Sequence, residues 1–300
     1  MIYAYYPGCS LEGASSPYDR SLRRVMAALG HQLEELDDWN CCGATMYMSV
    51  RETVAFSISA RNLALAERFA AGTGAHTMLA PCSACYNTLL KTQRYLRELP
   101  QLRKQVGEAL AGAGLECRGT IKVRHPLDVI VNDIGVETVA RKAKRRLDGL
   151  RIAPYYGCQI VRPEPGFDDR NWPTSMDDLF AALGAECVYY PDRVRCCGGM
   201  LMTTYPEVGE QLTGEVLTSA IRNGAEVIAT TCPLCQMNLE AYQRRARDRG
   251  DGGGPPAPEI PVLFFTQLLG LALGESTEDM ELHRSLVPLG DRLRALAGVS

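Results

Sequence analysis

No stretch of this 300-residue chain is long and apolar enough to cross a bilayer; the longest apolar run, around Leu263 to Leu273, is broken by Thr266 and Gln267. An export signal is missing as well, because Met1 to Pro7 (MIYAYYP) carries no basic segment ahead of an apolar one. The expectation is a reducing, cytoplasmic setting. Charge of one sign is not in excess, since 32 Lys and Arg stand against 35 Asp and Glu, a net charge of -3. With a pI near 5.9, that balance excludes a general attraction to nucleic acid or anionic lipid. Two motifs are absent, the C-x2-C-x2-C-x3-C-P run of ferredoxins and the G-x-G-x-x-G fingerprint of dinucleotide sites. Glycine-rich Asp251 to Gly254 follows no expected strand and opens no helix, so it is not a phosphate loop.

What is present is cysteine in a repeated pattern. Ten of the twelve cysteines form two copies of one spacing: Cys9, Cys41, Cys42, Cys82 and Cys85, then Cys158, Cys196, Cys197, Cys232 and Cys235. The copies read C-x31-CC-x39-C-x2-C and C-x37-CC-x34-C-x2-C, and each CC pair is followed by glycine. The charged share of 22% and hydrophobic share of 46% are those of an ordinary globular protein. A chain of this length buries a large core without disulfide staples, so a disulfide framework is not required. Zinc at one copy stays open as a minor alternative, since a C-x2-C pair feeds many tetrahedral sites. Five thiols overfill such a site, however, and a polynuclear iron-sulfur group uses them better.

The duplication extends beyond cysteine. Short β-prone runs, Ile2 to Tyr6 and Ile152 to Tyr156, lead into Cys9 and Cys158. Apolar residues at helical spacing over Tyr18 to Leu29 and Met176 to Leu183 stop at Gly30 and Gly184. Strands expected over His31 to Leu36 and Glu186 to Tyr190 lead to the Cys-Cys-Gly turns. Helices follow over Glu52 to Ala71 and Pro206 to Asn223, and strands Thr77 to Ala80 and Glu226 to Thr230 deliver the C-x2-C pairs. This βαβα alternation predicts an α/β fold of two tandem homologous halves, each a mainly parallel sheet with flanking helices. Every cysteine group follows a strand, and ligands in such sheets gather at the carboxyl ends of the strands, so the groups of each half are expected to converge.

The repeats close with Ile121 to Gly135 and Ile260 to Gly274. The halves thus span 1–145 and 150–276, separated near the basic run Arg141 to Arg146 and Asp148-Gly149, with 277–300 as a helical tail. Gly250 to Pro258 reads as a surface loop. An insertion in the second half, Val161 to Thr174, accounts for its longer first spacing.

The doubled motif, with Tyr6-Pro7-Gly8-Cys9, Asn40-Cys41-Cys42-Gly43, Val123-Arg124-His125, Tyr156-Gly157-Cys158 and Thr266-Gln267-Leu268-Leu269-Gly270, resembles the cysteine-rich CCG domain. Two such domains filling the chain look like the catalytic B subunit of heterodisulfide reductase, and the Tyr-Tyr-Pro-Gly-Cys-Ser opening looks like its bacterial relatives. The resemblance implies two noncubane [4Fe-4S] clusters. One is held by Cys9, Cys41, Cys42, Cys82 and Cys85, and the other by Cys158, Cys196, Cys197, Cys232 and Cys235. It further implies reduction or formation of a disulfide, dithiol or lipoate-type substrate in a complex with two other subunits, one ferredoxin-like and one flavin-binding. Single and double CCG domains also serve flavin-dependent 2-hydroxy acid and glycerol-3-phosphate dehydrogenases as electron-transfer subunits, usually with a fused ferredoxin segment that is missing here. A non-catalytic zinc scaffold is the remaining alternative.

Among other residues, His125 suits proton delivery to a leaving thiolate, and its counterpart in the repeat is Phe264. Met46, Met48, Met200 and Met202 follow the Cys-Cys-Gly turns and are expected to pack. Cys117 and Cys187 lie outside the pattern and read as ordinary thiols, and the tyrosine pairs beside Cys9 and Cys158 read as strand residues.

Overall fold

Two four-stranded, all-parallel sheets carry the chain. The first contains β1 (Ile2–Tyr5), β2 (Gln32–Glu35), β3 (Thr77–Leu79) and β4 (Lys122–Arg124) in the order β2-β1-β3-β4. The second contains β5 (Arg151–Tyr155), β6 (Glu186–Cys187), β7 (Val227–Thr230) and β8 (Val262–Phe264) in the order β6-β5-β7-β8. The computed structural model describes residues 1–44, 46–163, 166–248 and 259–298. The stretch Gly250 to Pro258, with Asp251 to Gly254 inside it, lies outside them, as does the side chain of Met46.

Helices cross between the strands as the periodicity predicts. Ser16–Leu29 buries Tyr18, Leu22, Val25, Met26 and Leu29 on one face and ends at Gly30, whose φ of 89° only glycine adopts without strain. Ser175–Ala182, Glu52–Thr73 and Pro206–Arg222 occupy the other expected helical positions. The helix Pro100–Ala111 was not expected; proline at its first turn sets its start. In the 277–300 tail, only Leu282–Arg284 and Asp291–Ala297 are helical among the described residues.

β6 is shorter than the strand expected over Glu186 to Tyr190, and Pro154 explains why. Ile152 accepts from Val188 N–H at 2.8 Å, so backbone groups two residues on face the same neighbour, and there Pro154 has no N–H to offer. Beyond Cys187 the chain turns into Pro191–Val194, and the Tyr190 hydroxyl donates to Pro154 O at 2.9 Å.

The two halves share one core. Ser16–Leu29 of the first half packs against Phe265–Leu273 of the second. The Tyr18 and Phe264 rings stack there at 4.4 Å, and the Ser21 and Thr266 hydroxyls lie 2.6 Å apart. Strand register places Leu79 beside Arg124 and Ala229 beside Leu263, each three residues before a C-x2-C pair, so His125 and Phe264 hold equivalent positions.

Candidate metal centre

In both halves the central strand has neighbours reached by crossovers in opposite directions, which opens a crevice at the strands' carboxyl ends. Cys9 follows β1, Cys41 and Cys42 follow β2, and Cys82 opens the helix Ser83–Glu98 after β3. Cys158, Cys196, Cys197 and Cys232 stand in the same relation to β5, β6 and β7.

The thiols form one continuous string. Cys9 lies 3.9 Å from Cys41, and Cys42 lies 3.2 Å from Cys85. Cys41 and Cys42, and Cys85 and Cys82, are near enough to shift each other's ionisation. The second half repeats this, with Cys197 at 3.5 Å from Cys235, Cys196 joined to Cys158 and Cys197, and Cys232 joined to Cys235. The strings meet at Cys82 and Cys232, which are near enough to shift each other's ionisation. Beside that junction the Ser83 hydroxyl lies 3.1 Å from the Thr231 hydroxyl. The six inner thiols (Cys42, Cys82, Cys85, Cys197, Cys232 and Cys235) are buried, whereas Cys9 and Cys41 are exposed and Cys158 and Cys196 half-buried. All twelve cysteines are free.

Crowded thiols cannot all ionise without a cation, because each thiolate raises the cost of the next. Hydrogen bonds from Cys42 and Cys9 pull Cys41 down to about 2, and those from Cys158 and Cys197 do the same to Cys196. Their donors shift the other way: bonding to Cys41 and to Cys196 pushes Cys42 and Cys197 up to about 12. Cys232 pushes the Cys82 thiol up, whereas Cys235 and Cys82 pull Cys232 down. The ionised form is thus favoured at Cys41, Cys196 and Cys232, and thiolate is the form that binds metal.

The backbone around the string is shaped for sulfur. Gly8 and Gly157 have φ of 75° and 69°, and a Cβ on either would stand 3.1 Å from the sulfur of Cys85 or Cys235. Two tyrosines taken from sequence as strand residues tie one cysteine group to another. The Tyr6 hydroxyl donates to Asn40 O at 2.8 Å, and Tyr155 donates to Arg195 O at 2.5 Å, each carbonyl being the one before a Cys-Cys pair. Other partners were not foreseen. Asn62 donates to Asn40 O at 2.8 Å, Thr213 to Cys197 O at 2.9 Å, and Asn238 to Gly199 O at 3.0 Å. The signal for the tyrosines was their equal distance, three residues, before the first cysteine of each copy.

His125 is fully buried between the two C-x2-C turns. Its Nδ1 accepts from Leu127 N–H at 3.1 Å, so Nε2 carries the hydrogen and donates to Pro81 O at 2.8 Å. The Thr231 carbonyl is a further backbone partner, and burial lowers the imidazole pKa to about 4. Its neighbour is Phe167 of the insertion, with rings parallel at 6.5 Å, the counterpart of the Tyr18–Phe264 stack. Met48 is partly buried and Met202 buried, but Met200 is exposed. Burial pushes Cys117 up to about 11 and Cys187 up to about 12, which makes both inert at neutral pH.

Among the described residues no three His, Cys, Asp or Glu side chains gather round a single-ion site. Five thiols per half, spread over the ends of three strands, fit a polynuclear iron-sulfur group.

Fold and site together define a duplicated cysteine-rich α/β protein. A model of the cysteine-rich domain matches residues 3–90 and again 152–240, more than half of the chain, which belongs to that CCG family. The 8-methylmenaquinol:fumarate reductase membrane anchor subunit of Wolinella succinogenes is 33% identical, over 95% of this chain and 96% of the relative. A protein of Archaeoglobus profundus that is itself like the B subunit of heterodisulfide reductase is 31% identical, over 92% of each. The B subunit of the ferredoxin:CoB-CoM heterodisulfide reductase of Methanosarcina mazei is 26% identical, over 93% of this chain and 92% of the relative. A Helicobacter pylori protein of solved structure shares the fold, with a TM-score of 0.76 at 16% identity; the match covers 96% of this chain and 52% of that one.

Proposed function

We propose that this chain is the iron-sulfur subunit of a reductase complex that cleaves or forms a disulfide at the ten-cysteine site. Each half would hold one noncubane [4Fe-4S] cluster, through Cys9, Cys41, Cys42, Cys82 and Cys85 and through Cys158, Cys196, Cys197, Cys232 and Cys235. The observation that carries this reading is the meeting of the two strings at Cys82 and Cys232. Cleaving an S–S bond takes two electrons, and each cluster, when bound, would supply one.

The chain's own residues do the rest. The exposed ends of the string, at Cys9 and Cys41 and at Cys158 and Cys196, are where a disulfide, dithiol or lipoate-type substrate enters. Tyr6 and Tyr155 hold the Cys-Cys turns at fixed height, and the buried inner thiols keep water from the junction. His125, read from sequence as a proton donor, positions the C-x2-C turns instead, since a proton leaving Nε2 would break its bond to Pro81 O. Electrons would come through a ferredoxin-like protein and a flavin-binding protein of the same complex, in the cytoplasm. The test is electron paramagnetic resonance of anaerobically purified protein before and after adding a small dithiol. A changed signal supports the reading, and an unchanged one removes the substrate from the site.

A second reading has one observation behind it. Tyr47, Val50 and Val54 after the first Cys-Cys-Gly turn, and Tyr205 and Val208 after the second, are exposed apolar side chains. They suit an electron-transfer subunit held at a membrane surface beside a quinol-oxidising partner. Reduction of the clusters by a menaquinol analogue, without any dithiol response, would favour it. Stoichiometric zinc without iron would favour the scaffold.

A further inference from the structure

The two halves differ most at one pair of equivalent grooves. In the second half a groove of about 220 Å3 lies between the helix Pro233–Ala241 and the end of β8. The chain's own C-terminal segment is seated there: the Ser285 hydroxyl and the Leu286 N–H both donate to Glu240, at 2.6 and 3.1 Å. Glu281 and Arg284 line the same groove, and Gln267 donates to Met280 O at 2.7 Å to hold the segment down.

In the first half the equivalent groove, about 460 Å3, lies between the helix Ser83–Glu98, β4 and the insertion of the second half. No described segment of the chain fills it. Its lining is cationic, with Lys91, Arg94, Arg97, Lys122 and Arg162. Lys91 is paired with Glu52 at 2.9 Å, and the buried Arg124 is neutralised by Asp128 at 2.6 Å. Arg97, Lys122 and Arg162 are exposed and have no ion-pair partner among the described residues. In the second half Ala241, Pro261 and Leu263 replace Lys91, Lys122 and Arg124, whereas arginine is kept at the positions of Arg94 and Arg97, as Arg244 and Arg247. Along one side the groove is walled by residues 119–124, ending in β4, which among the described residues pairs only with β3 and leaves its outer edge open. On the opposite side stand Arg162, Pro163, Gly166 and Phe167, and Arg193 anchors the end of that stretch by donating to Pro173 O at 3.0 Å and to Asp177 at 2.9 Å.

We propose that the first-half groove docks an extended, acidic segment of a partner polypeptide, in the place that Ser285 and Leu286 take in the second half. In the second half the equivalent place is taken by the bend that follows Leu282–Arg284; the unpaired edge of β4 offers backbone groups to an added segment, and the cations without ion-pair partners select for carboxylates. A partner seated there lies beside the cysteine crevice, because Asn87, in the groove's lining, donates to Gln159, next to Cys158, at 2.6 Å. The inference does not depend on the redox reading.

The experiment is fluorescence anisotropy with iron-loaded protein and a labelled decapeptide of alternating glutamate and alanine, compared with its glutamine counterpart and with citrate. The expected result is binding of the acidic peptide alone. It is weakened about tenfold or more in an Arg97→Glu, Lys122→Glu double variant but not in Arg103→Glu, Lys104→Glu, the same charge change on the neighbouring helix surface. Hydrogen exchange should slow at residues 119–124. Three results would overturn it: no binding, equal loss in both double variants, or displacement by citrate as tight as by the peptide, which would assign the groove to small anions.

Discussion

The Ser83 and Thr231 hydroxyls lie 3.1 Å apart across the boundary between the halves, each next in sequence to Cys82 or Cys232. Each cysteine belongs to the C-x2-C pair of its own half, so duplication has brought two copies of one site face to face. The contact depends on the helix pair Ser16–Leu29 and Phe265–Leu273, which locks one sheet against the other.

Because Cys41 is exposed and outside the core, Cys41→Ala should remove the first cluster and leave the fold. Iron content should fall by about half, with circular dichroism unchanged. Full iron content in this variant would show that Cys41 is not a ligand.

Gly8→Ala should destabilise the protein by about 1–2 kcal/mol, because φ of 75° is strained for alanine and its Cβ meets the Cys85 sulfur at 3.1 Å. Gly13→Ala, where the nearest atom lies at 3.9 Å, serves as the neutral control. Denaturant midpoints of the two variants, with the absorption spectrum of the first, decide the matter. Equal midpoints would mean that Gly8 is not pressed against the site.

The two tyrosine hydroxyls should differ in worth. Asn40 O keeps a bond from Asn62 when Tyr6 is lost, so Tyr6→Phe should cost about 1 kcal/mol. Among the described residues Arg195 O has only Tyr155 as a donor, so Tyr155→Phe leaves a carbonyl unpaired and should cost about 1–3 kcal/mol. Chemical denaturation of both variants checks the order.

Burial lowers the His125 pKa from 6.5 to about 4. As pH falls, the unfolded chain takes up this proton first, so the stability held by the neutral imidazole is whole above pH 6.5 and drains away towards 4. The loss should approach about 3 kcal/mol, and it should vanish in His125→Phe, which installs the residue of the second half. Urea titrations at several pH values read this directly. The same slope in both proteins would mean that another group titrates.

Much of this architecture was legible because its signals are local. Gly30 and Gly184 marked helix ends, β-prone runs preceded each cysteine group, and parallel topology carried those groups to one crevice. What escaped depends on contacts between distant segments. Pro154 was visible in the sequence, yet only the register of β5 shows that its missing N–H faces β6 and cuts that strand short. His125 suggested proton chemistry by residue type, while its two backbone hydrogen bonds come from Leu127 and from Pro81, 44 residues away. The difference between the two grooves was hidden too, because it arises from the C-terminal segment folding back onto Glu240.

The most direct test is iron and acid-labile sulfide per chain in anaerobically purified protein, measured together with the resonance spectrum on dithiol addition. Near eight irons with matching sulfide, about four per half, and a signal that the dithiol changes are the predicted result. Iron near four, zinc in its place, or a full complement of iron that ignores the dithiol would contradict a disulfide-active pair of clusters.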